Sequence, residues 1–336
     1  MIALIGDKNS KRTKYFLKAA DTLKIPVSLV EWNHINQLFD NSKLQRAAIK
    51  IDPPSYDLYG LTDVKKQMDR YQEQLGRLAC LEQMGATFLN TPQAVWNVLD
   101  KRSCKAKLHT AGVPVTRVLA EQVESAEQLF EQMRKQHCHS VFLKPVLFSG
   151  AAGVTAFRYQ ERSGKMQAYT SCKLVQGQLV NTKKLYCMED RDAIMELFSH
   201  LLKLDIMAER WHPKAAYQGK SYDLRVVYQF GHIAHVVVRT ANGPITNLHL
   251  NNQAMELSKL PIDNKKMQEI EAVCGQAVAA IPGLTAAGID ILLDKNTGKP
   301  YIIEINGQGD LIYQDIYNDN RIYQEQAERL VCKQLT

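Results

Sequence analysis

The chain has 336 residues, 45% of them hydrophobic and 23% charged, with a formal net charge of +7. This is the composition of a folded globular protein of two or three domains, and it excludes a disordered or fibrous chain. The basic residues are scattered, which excludes a nucleic-acid stripe and leaves a mildly basic cleft for an anionic ligand. Seven cysteines stand singly without Cys-x-x-Cys spacing, the pattern of reduced thiols in a cytoplasmic protein. His137-Cys138-His139 is set aside as a metal site because adjacent residues rarely point at one ion. No stretch is long enough to span a bilayer, and the apolar run before Asp7 is too short for a signal peptide.

In chain order, residues 1–5, 11–23 and 27–31 read as strand, amphipathic helix and strand, a βαβ unit with parallel strands. The loop between them, Gly6 to Ser10, lacks a dinucleotide fingerprint. A strand at 47–51 stops at Asp52-Pro53-Pro54, a long helix at 64–84 ends at Gly85, and Asn90-Thr91-Pro92 follows a strand at 86–89. Residues 1–95 thus form a small Rossmann-like α/β domain.

Residues 96–205 open on Asp100-Lys101-Arg102, by itself a charged helix start. The strand at 141–145 carries Lys144 inside an apolar run, where an ammonium is costly unless it meets an anion. A snorkelling edge-strand lysine is the alternative. The loop that follows, with Ser149, Gly150 and Gly153, is small enough to bring backbone N–H groups close to phosphates. Short strands at 169–174 and 178–180 complete a small lid, and a helix at 191–202 closes the segment.

Residues 206–336 contain paired strands at 221–228 and 233–240, joined at Gly231-His232, and a helix at 265–281. Apolar runs at 289–293 and 301–305 flank Asp294-Lys295-Asn296-Thr297-Gly298, a β-hairpin signature. Each run holds an acid, Asp290 and Glu304. A turn centred near Thr297 puts the two opposite each other, with Asn306 on the face of Glu304. Two adjoining carboxylates repel unless a cation holds them, and oxygen-only ligands suit Mg²⁺ shared with nucleotide phosphates. An exposed acidic hairpin is disfavoured by Ile302, Ile303, Ile291, Leu292 and Leu293 beside the acids. The tail at 315–336 reads as a polar helix packing back on the fold.

Gly288-Ile289-Asp290-Ile291-Leu292 followed by Ile303-Glu304-Ile305-Asn306-Gly307 resembles the metal-binding end of the ATP-grasp superfamily, in its RimK-like and glutathione-synthetase-like branches. Asp100-Lys101 with Gly112-Val113-Pro114 resembles a second signature of that superfamily. The likeness covers about residues 100–312 in five ordered motifs, and 1–95 loosely as a pre-ATP-grasp domain. It implies an α/β (α+β) ATP-grasp fold: an N-terminal domain at 1–95, a central lid at 96–205 and a catalytic subdomain at 206–336.

The resemblance further implies ATP with Mg²⁺ or Mn²⁺ as cofactors, the metal on Asp290, Glu304 and Asn306. Lys101 and Lys144 would be the phosphate lysines, residues 147–153 with Ser149, Gly150 and Gly153 the phosphate loop. Glu209, Arg210 and Trp211 would be the hinge that reads adenine through backbone groups; Ala208 and the Arg-Trp pair depart from the usual run. Asp223 would serve the nucleotide side. Arg225, Arg239 and Asn247 would be catalytic, with Ile245 standing where the family often has an arginine. The activity implied is carboxylate–amine ligation through an acyl phosphate, releasing ADP and phosphate. Substrates would be small molecules or peptides; no nucleic acid or membrane partner is expected, and homodimers are common in the family. A phosphotransferase of the same fold and a non-catalytic nucleotide-binding scaffold are the rivals, the second disfavoured by the intact ligand set.

Overall fold

The computed structural model describes residues 1–56, 59–148, 150–308 and 320–332. Its first sheet is parallel, in the order β2-β1-β3-β4: β1 (Ile2–Gly6), β2 (Val27–Glu31), β3 (Ala48–Ile51) and β4 (Thr87–Phe88). Ile2, Ala3, Leu4 and Ile5 are all fully buried, as an unbroken apolar run requires of a parallel strand covered on both faces. Helices α1 (Lys11–Thr22), α2 (Gln37–Asp40) and α3 (Val64–Gln83) complete this domain. Thr91 caps α4 (Pro92–Leu99), accepting from Ala94 N, and Asp100 caps α5 (Lys101–Thr110), accepting from Ser103 N.

The second sheet runs β5-β10-β6-β7-β8-β9: β5 (Val118–Ala120), β6 (Ser140–Pro145), β7 (Thr155–Gln160), β8 (Lys165–Val175), β9 (Gln178–Met188) and β10 (Ile206–Arg210). Helices α6 (Ala126–Lys135) and α7 (Arg191–Leu201) cover it. β8 and β9 are longer than their apolar residues announce. β9 is the edge strand, and its second half carries Lys183 and Lys184, charges that keep an open edge from pairing with other chains. The core of this sheet reaches into the first domain: Leu61, Val64 and Met68 are buried within it. There Asn181 N donates to Tyr59 O at 2.8 Å, and Gly60 bridges Val180.

The third sheet is antiparallel, β14-β13-β12-β15-β16, with β11 (Ala216–Tyr217) attached to β12 (Lys220–Gln229). Its other strands are β13 (His232–Ala241), β14 (Gln253–Met255), β15 (Ala286–Leu293) and β16 (Pro300–Asn306). α8 (Asn264–Ala279) covers one face, with α4 and α5 packed there through Ala94, Val98, Cys104 and Leu108. The first and third sheets are tied by Asn90, buried at 5% exposure. Its amide donates to Ala286 O and accepts from the N–H groups of Thr285 and Ala286. The C-terminal helix Arg321–Cys332 returns to the first domain, packing Tyr323, Ala327 and Leu330 on Phe16, Ala19 and Ala20. The flanks of the expected tail helix, 315–319 and 333–336, lie outside the described residues. Among those described, no helix is long and apolar enough to cross a membrane.

Candidate active site

The second and third sheets face each other across a cleft of about 650 Å³, open to solvent, lined among others by Lys144, Glu209, Lys214, Arg239, Asp290 and Glu304. On the third sheet the charges form a cross-strand row. Asp223 on β12 stands opposite Arg239 on β13, Arg225 on β12 opposite Asp290 on β15, and Asp290 opposite Glu304 on β16. Directly opposed side chains in an antiparallel pair are close enough to interact, so the register itself writes the ion pairs. Arg239 Nε donates to Asp223 Oδ1 at 2.7 Å and its NH2 group to Asp290 Oδ2 at 2.9 Å. Arg225 NH1 takes Asp290 Oδ1 at 2.6 Å. Burial alone would raise the Asp223 carboxyl, but Arg239, Lys214 and the Thr246 hydroxyl override it and hold the carboxyl well below its usual range.

The expected hairpin register is present, with one addition. Asp290 pairs with Glu304, then the register shifts and Ile291 pairs with Ile302, leaving Ile303 as a β-bulge. Ile303 thereby joins Glu304 in the cleft wall. The electrostatic argument for a metal needs correction. Asp290 is already met by two arginines, and Lys101 Nζ lies 3.6 Å from Glu304 Oε1, so protein cations suffice to relieve the repulsion. Among the described residues no three His, Cys, Asp or Glu side chains cluster as metal ligands. The donors present are two carboxylates and the Asn306 carboxamide, an oxygen-only set that fits a hard divalent cation, with Glu304 still a quarter exposed.

Across the cleft, Glu209 is buried at 2% exposure and gathers three partners: Lys144 Nζ at 2.7 Å, Lys105 Nζ at 3.2 Å and the Thr116 hydroxyl at 2.6 Å. Burial opposes its ionisation, yet the two ammonium charges and the hydrogen bonds win, and its carboxyl is held down at about 2. At Lys105 the balance is reversed. Burial and the repulsion of Lys144 outweigh its half share of Glu209, and its ammonium falls to about 8. Lys101, at the first position of α5, donates to Phe148 O and touches Glu304, so it reaches the cleft through those groups.

The hinge differs from the expectation in two places. The N–H groups of Arg210 and Trp211 are engaged by Arg117 O at 2.8 Å and Ser140 O at 2.9 Å, so neither is a free donor for a base. The next N–H, that of His212, has no partner among the described residues, and His212 lines the cleft. Trp211 stands behind the wall, packed on Phe142 with the Arg158 guanidinium 4.1 Å over its ring. Arg225 likewise serves Asp290 from behind the cleft lining. Asn247 does line it, and also caps the turn Leu248–Leu250 by accepting from His249 N at 2.9 Å. In the loop expected to hold phosphates, Gly150 and Gly153 both have positive φ. A Cβ at Gly153 would come 2.6 Å from Pro145 Cγ, so only glycine fits there. Ser149 lies outside the described residues.

Four cleft residues escaped the sequence reading. Lys105 was detectable, four positions after Lys101 on one helical face. Thr116 and Thr246 fall within the motifs at 111–116 and 246–248 without a role of their own, Lys214 carries no local pattern, and all three meet their partners only in three dimensions.

A parallel-sheet domain, a lid sheet and an antiparallel sheet closing on a charged cleft are together the architecture of the ATP-grasp ligases. Solved structures of that class share it along their length. D-cycloserine synthetase DcsG matches with a TM-score of 0.62 at 16% identity, covering 98% of this chain and 99% of that one. The ATP-grasp ligase PsnB with a minimal precursor gives 0.60 at 15%, covering 98% of each chain. D-alanine–D-alanine ligase from Bacillus anthracis, complexed with ATP, gives 0.60 at 12%, covering 99% and 96%. At such identities the likeness is one of fold. Residues 95–332 match the family described as YheC/D like ATP-grasp, and the chain belongs to that family. Among curated proteins none matches by sequence.

Proposed function

We propose that the protein is an ATP-dependent carboxylate–amine ligase working through an acyl phosphate, with its site on the residues just described. The observation that carries this reading is the charge balance of the cleft. In the ion-pair network of the cleft wall and the layer behind it, the six cations Lys101, Lys105, Lys144, Lys214, Arg225 and Arg239 share four carboxylates, Glu209, Asp223, Asp290 and Glu304, a surplus of two positive charges in that network. A buried surplus of this sign is stable when a polyanion completes it.

In this reading Lys144 and Lys105, oriented by Glu209, bind nucleotide phosphates, with Lys101 fixing the end of α5 against the phosphate loop. The His212 N–H reads the adenine edge in place of the engaged hinge donors. Asp290, Glu304 and Asn306 would hold Mg²⁺, which when bound would neutralise phosphate charge. Arg239 meets the charge that develops on the transferring phosphoryl group, and phosphoryl transfer is mostly such positioning and electrostatics. The substrate carboxylate attacks the γ-phosphorus as the bond to ADP breaks. The amine then attacks the acyl carbon, phosphate leaves, and the amide remains with loss of the amine's protons to solvent. The lid keeps water from the intermediate. The carboxylate is a small molecule or a peptide; PsnB, a chain of the same fold, is complexed with a precursor peptide. The N-terminal domain at 1–95 contributes its binding, the lid at 96–205 and the subdomain at 206–336 the nucleotide site.

Chromatography of a turnover mixture with pooled amino acids, peptides and metabolites tests this. ADP and phosphate in equal amounts with an amide are expected. AMP and pyrophosphate would remove the mechanism, and a stable phosphorylated product without amide would favour a phosphotransferase.

A further inference from the structure

The roles above leave Lys214 unused, although its side chain is only 10% exposed and lines the cleft. Its backbone is pinned to the hairpin. Lys214 bridges Asp294, Lys295 N donates to Pro213 O at 3.0 Å, and Ala215 N donates to Leu293 O at 2.8 Å. An ammonium has three N–H donors. One meets Asp223 Oδ2 at 3.1 Å, a second meets Thr246 Oγ1 at 2.8 Å, and the third has no partner among the described residues.

Balancing Asp223 does not account for this lysine. The other oxygen of Asp223 already holds Arg239 at 2.7 Å, so one carboxylate faces two buried cations. Burial draws the Lys214 ammonium below its ordinary range against the pull of Asp223, the mark of a cation not fully compensated. Beside it, Ile245 is apolar, 6% exposed and also in the cleft wall, so no cation precedes Asn247 from the chain's own segment. Lys214 reaches that segment through Thr246, from its place beside the hairpin of the same sheet. We infer that Lys214 donates its third N–H to a phosphate oxygen of the bound nucleotide, supplying from the hinge side a positive charge that Ile245 cannot. This rests on the nucleotide-binding reading given above.

The test is calorimetric titration of wild type, Lys214→Met and Lys214→Arg with adenosine, AMP, ADP and ATP, each with Mg²⁺. A hydrogen bond to a charged group is worth enough that its loss weakens binding about ten- to a hundredfold. Lys214→Met is expected to lose that factor for the ligands carrying the contacted phosphate while adenosine affinity stays at the wild-type value. The first member of the series to show the loss identifies the phosphate, and Lys214→Arg keeps most of the affinity. Equal losses for adenosine and ATP would mark a merely structural lysine and overturn the inference, as would unchanged ATP affinity in Lys214→Met. A wild-type protein that bound no ATP would overturn the nucleotide reading and this inference together.

Discussion

Glu209→Gln is the substitution whose outcome the structure fixes most tightly. The wild-type carboxylate holds two buried ammonium groups and one hydroxyl within 3.2 Å, and its carboxyl sits at about 2 against an ordinary 4.5. A carboxyl depressed on folding contributes stability that is present above pH 4.5 and lost as pH falls through about 2. A shift of that size corresponds to about 3 kcal/mol, at 1.36 kcal/mol per unit. The amide keeps the shape but leaves Lys105 and Lys144 facing each other without a counter-charge. Breaking a buried pair in this way costs about 3–5 kcal/mol. For a cooperative unit of about 150–250 residues, 3 kcal/mol lowers the melting midpoint by about 6–12 °C. The assay is thermal unfolding followed by circular dichroism between pH 2 and pH 8. The variant is expected to melt lower at pH 7 and to lose less of its stability between pH 4.5 and pH 2. Equal midpoints at neutral pH, with parallel acid limbs, would refute the argument that Glu209 is ionised and shared.

Lys144→Ala should weaken Mg-ATP binding by about 1.5–3 kcal/mol without unfolding the protein, which calorimetry and circular dichroism check together. Glu304→Gln should lower ligase activity by orders of magnitude and raise the Mg²⁺ needed for ATP binding, while its melting curve stays near wild type; full activity at limiting Mg²⁺ would sink the metal assignment. Asn90→Ala strands the N–H groups of Thr285 and Ala286 and the carbonyl of Ala286, at about 1–3 kcal/mol for each buried group left unpaired. It should destabilise the junction of first and third sheets, seen as faster amide exchange at residues 285–286 than elsewhere in β15.

Much of this molecule was legible before any coordinates. The apolar runs at 289–293 and 301–305 marked both strands, and a turn centred near Thr297 put Asp290 opposite Glu304, as the pairing has it. The bulge at Ile303 was not legible, since an extra residue in an apolar run leaves the alternation readable either way. The hinge motif located Glu209 but said nothing of its side chain. A side chain's hydrogen-bond partners sixty-five and ninety-three positions away, Lys144 and Thr116, leave no trace in the local sequence. The second half of β9 was missed because an edge strand needs apolar residues on neither side that solvent reaches. The carboxylate pair pointed to a cation, and the nearest cations are arginines from strands whose neighbours in the sheet are distant in the chain.

The burial of Leu61, Val64 and Met68 in the lid core constrains how the enzyme breathes. Were the lid to swing away from the N-terminal domain alone, these side chains would meet water, at about 1.5–3 kcal/mol for each large apolar group. Asn181 would also release Tyr59. A tilt that carries residues 59–68 along exposes none of them. Any opening on that side therefore pulls on residues 59–68, which lead into a domain that Asn90 holds to the third sheet.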